Sequence, residues 1–104
     1  MAKAYEISIW EPDPEKSDEF METIKSLTKA FVESGVSQVD LLTGVAGKDV
    51  FRVVVIQHFK GLADNGAVNE SIGDSAAMKV WREAHPGGFP GKLISHDLYQ
   101  SIDD

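Results

Sequence analysis

Three histidines, His58, His85 and His96, and one arginine beside an apolar run, Arg52, are the residues of this sequence best suited to chemistry. Imidazole exchanges protons near neutral pH, and a guanidinium attracts an anionic or phenolate oxygen. Arg52, Val54, Ile56 and His58 fall at even spacing, so an alternating strand sends all four to one face. His58 is the expected proton shuttle and Arg52 the expected holder of the negative oxygen. His96 neighbours Asp97 and therefore points the other way, where packing or capping is the expected role. His85 borders a loop of two prolines and three glycines, Pro86 to Gly91, whose only large apolar side chain is Phe89. If that loop closes over a cavity, His85 and Phe89 move with it.

Other chemistries find no support. No two histidines show the His-x-His or His-x-x-x-His spacing that aims imidazoles at one metal, and no metal or cofactor is expected. The absence of cysteine removes disulfides, thiolate sites and cysteine nucleophiles. The stretch Gly44 to Asp49 lacks the spacing, the Ser or Thr and the following helix of a phosphate loop, and it reads as a turn. No Gly-x-Ser-x-Gly occurs, so acyl transfer has no signature.

Ten Lys and Arg against seventeen Asp and Glu give a formal charge of -7. The basic residues are scattered singly among carboxylates, which argues against nucleic acid and against an anionic membrane surface. No segment has the apolar length of a membrane span and no signal peptide opens the chain, so a cytoplasmic protein is expected. With 104 residues, a single domain over 1–104 is expected, large enough for one core. A chain of this size removes roughly 65% of its unfolded surface from water, which leaves little for a deep private cavity. A second subunit is expected to help hold any ligand.

The elements that position these residues follow from patterning. Tyr5, Ile7 and Ile9 alternate with Glu6, Ser8 and Trp10 as a first strand. Asp13 is an expected N-cap, with Pro14 opening a helix to Ser34 and Gly35 ending it. Phe20, Ile24, Leu27 and Phe31 form its apolar stripe. Residues 36–43 and 50–59 read as two strands joined by a hairpin turn at 44–49. The run Val53 to Ile56 is apolar on both faces, so both sides of the third strand should be covered. Helical pieces are expected over 62–72 and 76–84, with Ser75 capping the second, and residues 93–102 close the chain as a fourth strand. Asp103 and Asp104 are expected to fray.

The order β-α-β-β-α-β is the ferredoxin-like split pattern, an α+β fold with a four-stranded antiparallel sheet in order 4-1-3-2 and helices on one face. Tyr5, Ile7, Ile9, Phe51, Val53 and Val55 are uniformly apolar and are assigned to the helix side. The opposite face then collects Glu6, Ser8, Trp10, Arg52, Ile56, His58, Ser95, Asp97 and Tyr99. That surface is too apolar in its middle to stay wet and too polar for a dry core. Two readings fit it: a sheet-to-sheet homodimer interface with no catalysis, or a pocket for a small organic ligand lined by Trp10, Ile56, Asp97, Tyr99 and Phe89.

These features resemble the dimeric α/β-barrel superfamily, which includes the antibiotic-biosynthesis monooxygenase-like proteins, muconolactone isomerases and haem-degrading monooxygenases. The likeness spans nearly the whole chain and is carried by the first strand, the long helix ending in Gly35, the hairpin 41–50, the apolar third strand ending in Phe59, and the stretch Asp74 to Ala84. It implies a homodimer with sheets face to face and a cavity between sheet and helices or loops for small, often aromatic molecules. It further implies a possible cofactor-independent monooxygenase or isomerase acting on a phenolic compound. Haem-degrading members carry an Asn on strand one, with a Trp and a His around the second helix. Here strand one offers Ser8 and Trp10, and Trp81 lies only four residues before His85, which argues against haem.

Overall fold

The computed structural model describes residues 2–102, so the expected fraying of Asp103 and Asp104 lies outside the described residues. Strand β1 runs Ala4–Pro12, helix α1 Ser17–Glu33, β2 Gln38–Thr43, β3 Val53–Phe59, α2 Leu62–Ile72, α3 Ala76–Ala84 and β4 Gly91–Gln100. The sheet has the order β2-β3-β1-β4, antiparallel throughout, which is the expected ferredoxin-like topology. No helix among the described residues is long and apolar enough to cross a membrane.

A single 3-10 turn, Pro14–Lys16, leads into α1. Asp13 occupies the capping position, but its side chain makes no capping bond; its main chain accepts from Lys16 N at 2.9 Å and donates to Pro90 O at 2.9 Å. Asp18 and Glu19 sit in the first turn of α1, where the positive helix end favours carboxylates. The helix buries Phe20, Thr23, Ile24, Leu27 and Ala30. It ends at Gly35, whose φ of 115° lies in the left-handed region that side chains disfavour.

Ser75 caps α3 by accepting from Met78 N at 3.1 Å, and its hydroxyl also meets Ser34 Oγ at 2.7 Å. The cap thus ties the start of α3 to the end of α1. Ser75→Ala should cost about 1–2 kcal/mol, the upper range of a lost cap because the second bond goes with it. Urea unfolding checks this: a loss below about 0.3 kcal/mol would show that water replaces both bonds.

The hairpin is longer than its sequence suggests. The third strand begins at Val53, because Gly44 N donates to Arg52 O, Phe51 N to Gly44 O and Arg52 N to Asp49 O, curling residues 44–52 into a loop. Phe51, expected beneath the helices, is instead 84% exposed with φ of 66°. Arg52 lies in the loop just before β3 and pairs with Asp49 at 3.2 Å and Glu11 at 3.6 Å.

The expected facing of β1 is inverted. Ala4 and Ser8 are buried under the helices, and Trp10 packs against the cluster of Phe20, Ile24, Leu27, Val53 and Val55. Val53 and Val55 do face the helices, and Ser8 lies opposite Val55 while Trp10 lies opposite Val53. A second cluster joins Ala4, Val36, Phe59 and Val68 beneath α2. The open face therefore carries Tyr5, Ile7 and Ile9 from β1, Val54, Ile56 and His58 from β3, Ser95, Asp97 and Tyr99 from β4, and Gln38, Asp40 and Leu42 from β2. Its middle is apolar and its margins are polar.

Candidate functional site

Because successive side chains of a strand alternate, β1 places Glu6, Ser8 and Trp10 in one row beneath the helices. Trp10 Nε1 donates to Ser8 Oγ at 3.0 Å. A hydroxyl that accepts this bond keeps its own proton free to donate. Next to Ser8, β3 contributes Val55 and β4 contributes His96, its register partners on either side. Helix α1 lays Ile24, Leu27 and Phe31 over them. Together with Trp10 and Gln57 these residues enclose a cavity of about 90 Å³ between α1 and the sheet. Its walls are almost wholly apolar, with Ser8, Gln57 and His96 on the sheet side exposing little polar surface into it. That lining suits a small, mostly apolar molecule with one or two polar substituents.

Behind the floor stands Glu6, whose side chain is only 14% exposed. Its Oε1 lies 3.5 Å from His96 Nε2 and 3.5 Å from the Asn69 amide nitrogen, which reaches down from α2. Glu6 thus orients the His96 ring beside the cavity, and the His96 side chain is 47% exposed at the sheet edge.

Past Trp10, an aromatic cluster extends to the surface. Phe89 meets Trp10 at a ring distance of 4.8 Å, Trp81 at 5.4 Å and Phe20 at 5.9 Å. Trp81 stacks on His85 at 4.7 Å and donates to Ser26 Oγ at 2.9 Å. On the outer side of Phe89, residues 84–90 overhang a cleft of about 440 Å³ walled by Asp13, Lys16, Glu19 and Thr23.

The residues expected to share one pocket are divided by the sheet. Trp10 and Phe89 stand together on the helix side. Ile56, His58, Asp97 and Tyr99 lie on the open face, and Arg52 lies in the 44–52 loop. The physical reason is the inverted facing of β1, while Arg52 is engaged by Asp49 and Glu11 at the end of the 44–52 loop. His58 Nε2 meets Asp40 Oδ2 at 2.7 Å, and Tyr5 packs edge-on against its ring at 5.2 Å. The Gln38 amide, donating to Oδ1 at 2.8 Å, and then His58 hold the Asp40 carboxyl below its usual range. Alternation sends His96 to the helix side, as the structure has it, with packing or capping as its expected role. The signal that would have set it beside the cavity is Ser8, its partner across the ladder, once β1 is faced correctly.

No family model and no curated protein matches this chain in sequence. Solved structures do match in shape. A candidate antibiotic biosynthesis monooxygenase from Bordetella bronchiseptica superposes with a TM-score of 0.68 at 14% identity, covering 98% of this chain and 99% of that one. The fold is that of the antibiotic biosynthesis monooxygenase-like proteins. A second such protein, from Nitrosomonas europaea, matches with a TM-score of 0.64 at 18% identity over 96% of this chain and 90% of its own. An uncharacterized NIPSNAP-like domain protein from Burkholderia xenovorans gives 0.66 at 13% identity over 98% and 85%. At these identities the likeness concerns the fold.

Proposed function

We propose that this protein binds a small phenolic molecule in the cavity between α1 and the sheet, as a homodimer joined through its open sheet face, and acts on it as a cofactor-independent monooxygenase or isomerase. The observation that supports this best is the cavity itself: Ile24, Leu27, Phe31 and Trp10 supply apolar walls that would flank a ring, and Ser8, Gln57 and His96 line the sheet side, where its oxygen would lie. Either reaction begins by removing a proton, which leaves an electron-rich phenolate or enolate. His96, backed by Glu6, is the group that receives it, and Ser8 donates to the oxygen left behind. Under this reading Arg52 pins the 44–52 loop through Asp49 and Glu11. His58, held by Asp40, belongs to the dimer face with Ile56, Asp97 and Tyr99.

Titration with para-nitrophenol tests the proposal, since its phenolate absorbs at longer wavelength than the phenol and reports both binding and deprotonation. His96→Ala should weaken phenolate binding about tenfold to a hundredfold, equivalent to the 1.5–3 kcal/mol of a hydrogen bond to a charged group. Ser8→Ala should give a smaller loss, and His58→Ala none. Equal affinity in wild type and His96→Ala would remove His96 from the site. A loss in His58→Ala alone would return the site to the open face.

A further inference from the structure

The cavity under α1 is smaller than the ring that its walls suit. Its volume is about 90 Å³, whereas the well-studied dry cavity that takes up benzene measures about 150 Å³. A ring held there must therefore extend beyond it, and the lining shows in which direction. Ser8, Ile24, Leu27, Val55 and Gln57 are buried, and Trp10 and Phe31 are half-buried against the core cluster. His96 is the exposed residue of the lining, with 47% of its side chain open to solvent. The cavity thus meets solvent at β4, the edge strand beside β1.

Strand β4 is bare on the side that the helices cover elsewhere. Neither core cluster holds a residue from it, and none of its residues is buried. Its register with β1 sets Leu93 opposite Trp10, His96 opposite Ser8 and Leu98 opposite Glu6, so these three side chains stand in one row on the cavity side of the sheet. Leu93 is 46% exposed and Leu98 50% exposed. Two half-exposed leucines therefore flank the mouth. The carboxylate nearest to it, Glu6, is already engaged by His96 and by the Asn69 amide, each at 3.5 Å. What stays free on either side of His96 is aliphatic surface.

We propose that the row of Leu93, His96 and Leu98 is the outer half of the ligand site, and that the ligand is a phenol carrying an aliphatic substituent. The ring stands in the mouth with one edge under α1 and its oxygen toward Ser8 and His96, and the substituent lies outside along the leucines of β4. This rests on the reading of the α1 cavity as the ligand site. A molecule of this shape removes apolar surface from water both inside the mouth and outside it, which a bare phenol cannot do.

Displacement of para-nitrophenol keeps the readout on the site itself. In wild type, 4-butylphenol should displace it at about tenfold to a hundredfold lower concentration than phenol does, since each fully buried methylene tightens binding by roughly fourfold and the row is half open. The double variant Leu93→Asn, Leu98→Asn should lose most of that advantage while keeping its affinity for phenol, because both positions lie outside the core clusters. Leu98→Asn alone carries the test if the double variant fails to fold. Equal displacement by phenol and 4-butylphenol in wild type, or an advantage that survives in the variants, would overturn the outer half and leave the cavity as the site. A double variant that turns from dimer to monomer in sedimentation velocity would give the row to a second copy and overturn the proposal likewise. Failure of para-nitrophenol to bind wild type would overturn the cavity reading, and the outer half with it.

Discussion

Ile56→Asp should leave the protein folded but convert a dimer to a monomer. Ile56 lies at the middle of β3, with Ile7 and Asp40 as its register partners, and Ile9, Val54 and Leu42 form the adjoining row. All three helices pack on the other face, through the clusters of Phe20, Val53 and Val55 and of Ala4, Phe59 and Val68. The open face therefore holds a band of branched aliphatic side chains with Leu42 51% and Tyr99 52% exposed, more apolar surface than a lone sheet face sustains in water. In the proposed homodimer a second copy, related by a two-fold axis, would meet it with the same band. Because the interface is self-complementary, one substitution introduces two carboxylates. An uncompensated charge buried there costs about 3–5 kcal/mol, and two of them weaken the dimer by on the order of ten-thousandfold or more. The fold survives because Ile56 lies outside both core clusters. Sedimentation velocity across a concentration series reads the result: a dimeric wild type beside a monomeric variant supports the shared face, and a wild type monomeric throughout would sink it.

The facing of β1 shows what patterning along a chain can and cannot decide. Alternation divides Tyr5, Ile7 and Ile9 from Glu6, Ser8 and Trp10 without ambiguity, and the structure keeps that division. Assigning the more apolar set to the helices assumes that the helices cover the drier side of the sheet. Here the helix side also holds a cavity, so its row of β1 carries a carboxylate and a hydroxyl, with the bulk supplied by α1 and Trp10. The apolar set went to the open face. By contrast, the strand order, the C-terminal end of α1, the start of α3 and the facing of Val53 and Val55 were legible. Each is set by a local signal: the left-handed Gly35, the capping Ser75, and the valines of β3 that meet Phe20 and Ile24.

The candidate site was legible in its parts and not in its grouping. Trp10, Phe89 and the Pro-Gly loop were each marked by residue type, and they meet. His58 and Arg52 were marked equally well by type, yet one is held by Asp40 on the open face and the other by Asp49 and Glu11 in a loop. What separated them was the curl of residues 44–52, fixed by main-chain bonds among Gly44, Asp49, Phe51 and Arg52 that alternation cannot foresee. His96 and Glu6 come from strands distant in sequence, and only the β1–β4 register brings their sides together.

Phe20→Ala should be the most destabilising single change near the site. Phe20 has no exposed surface, and its ring touches both Trp10 and Phe89, at 6.2 and 5.9 Å. It also lies against Gly91, where a Cβ would come within 3.0 Å of the ring. Removing a buried phenyl group costs about 3–5 kcal/mol, and at roughly 4–8 °C per kcal/mol for a small domain the melting temperature should fall by on the order of 15 °C or more. Phe89→Ala should cost far less, because the Phe89 ring is only partly buried and leaves behind a space open to the outer cleft. The comparison by thermal unfolding decides how the aromatic cluster is built. If Phe20 is core and Phe89 its rim, the two losses differ by about 2 kcal/mol or more. Similar losses would mean that Phe89 is as much a part of the core as Phe20.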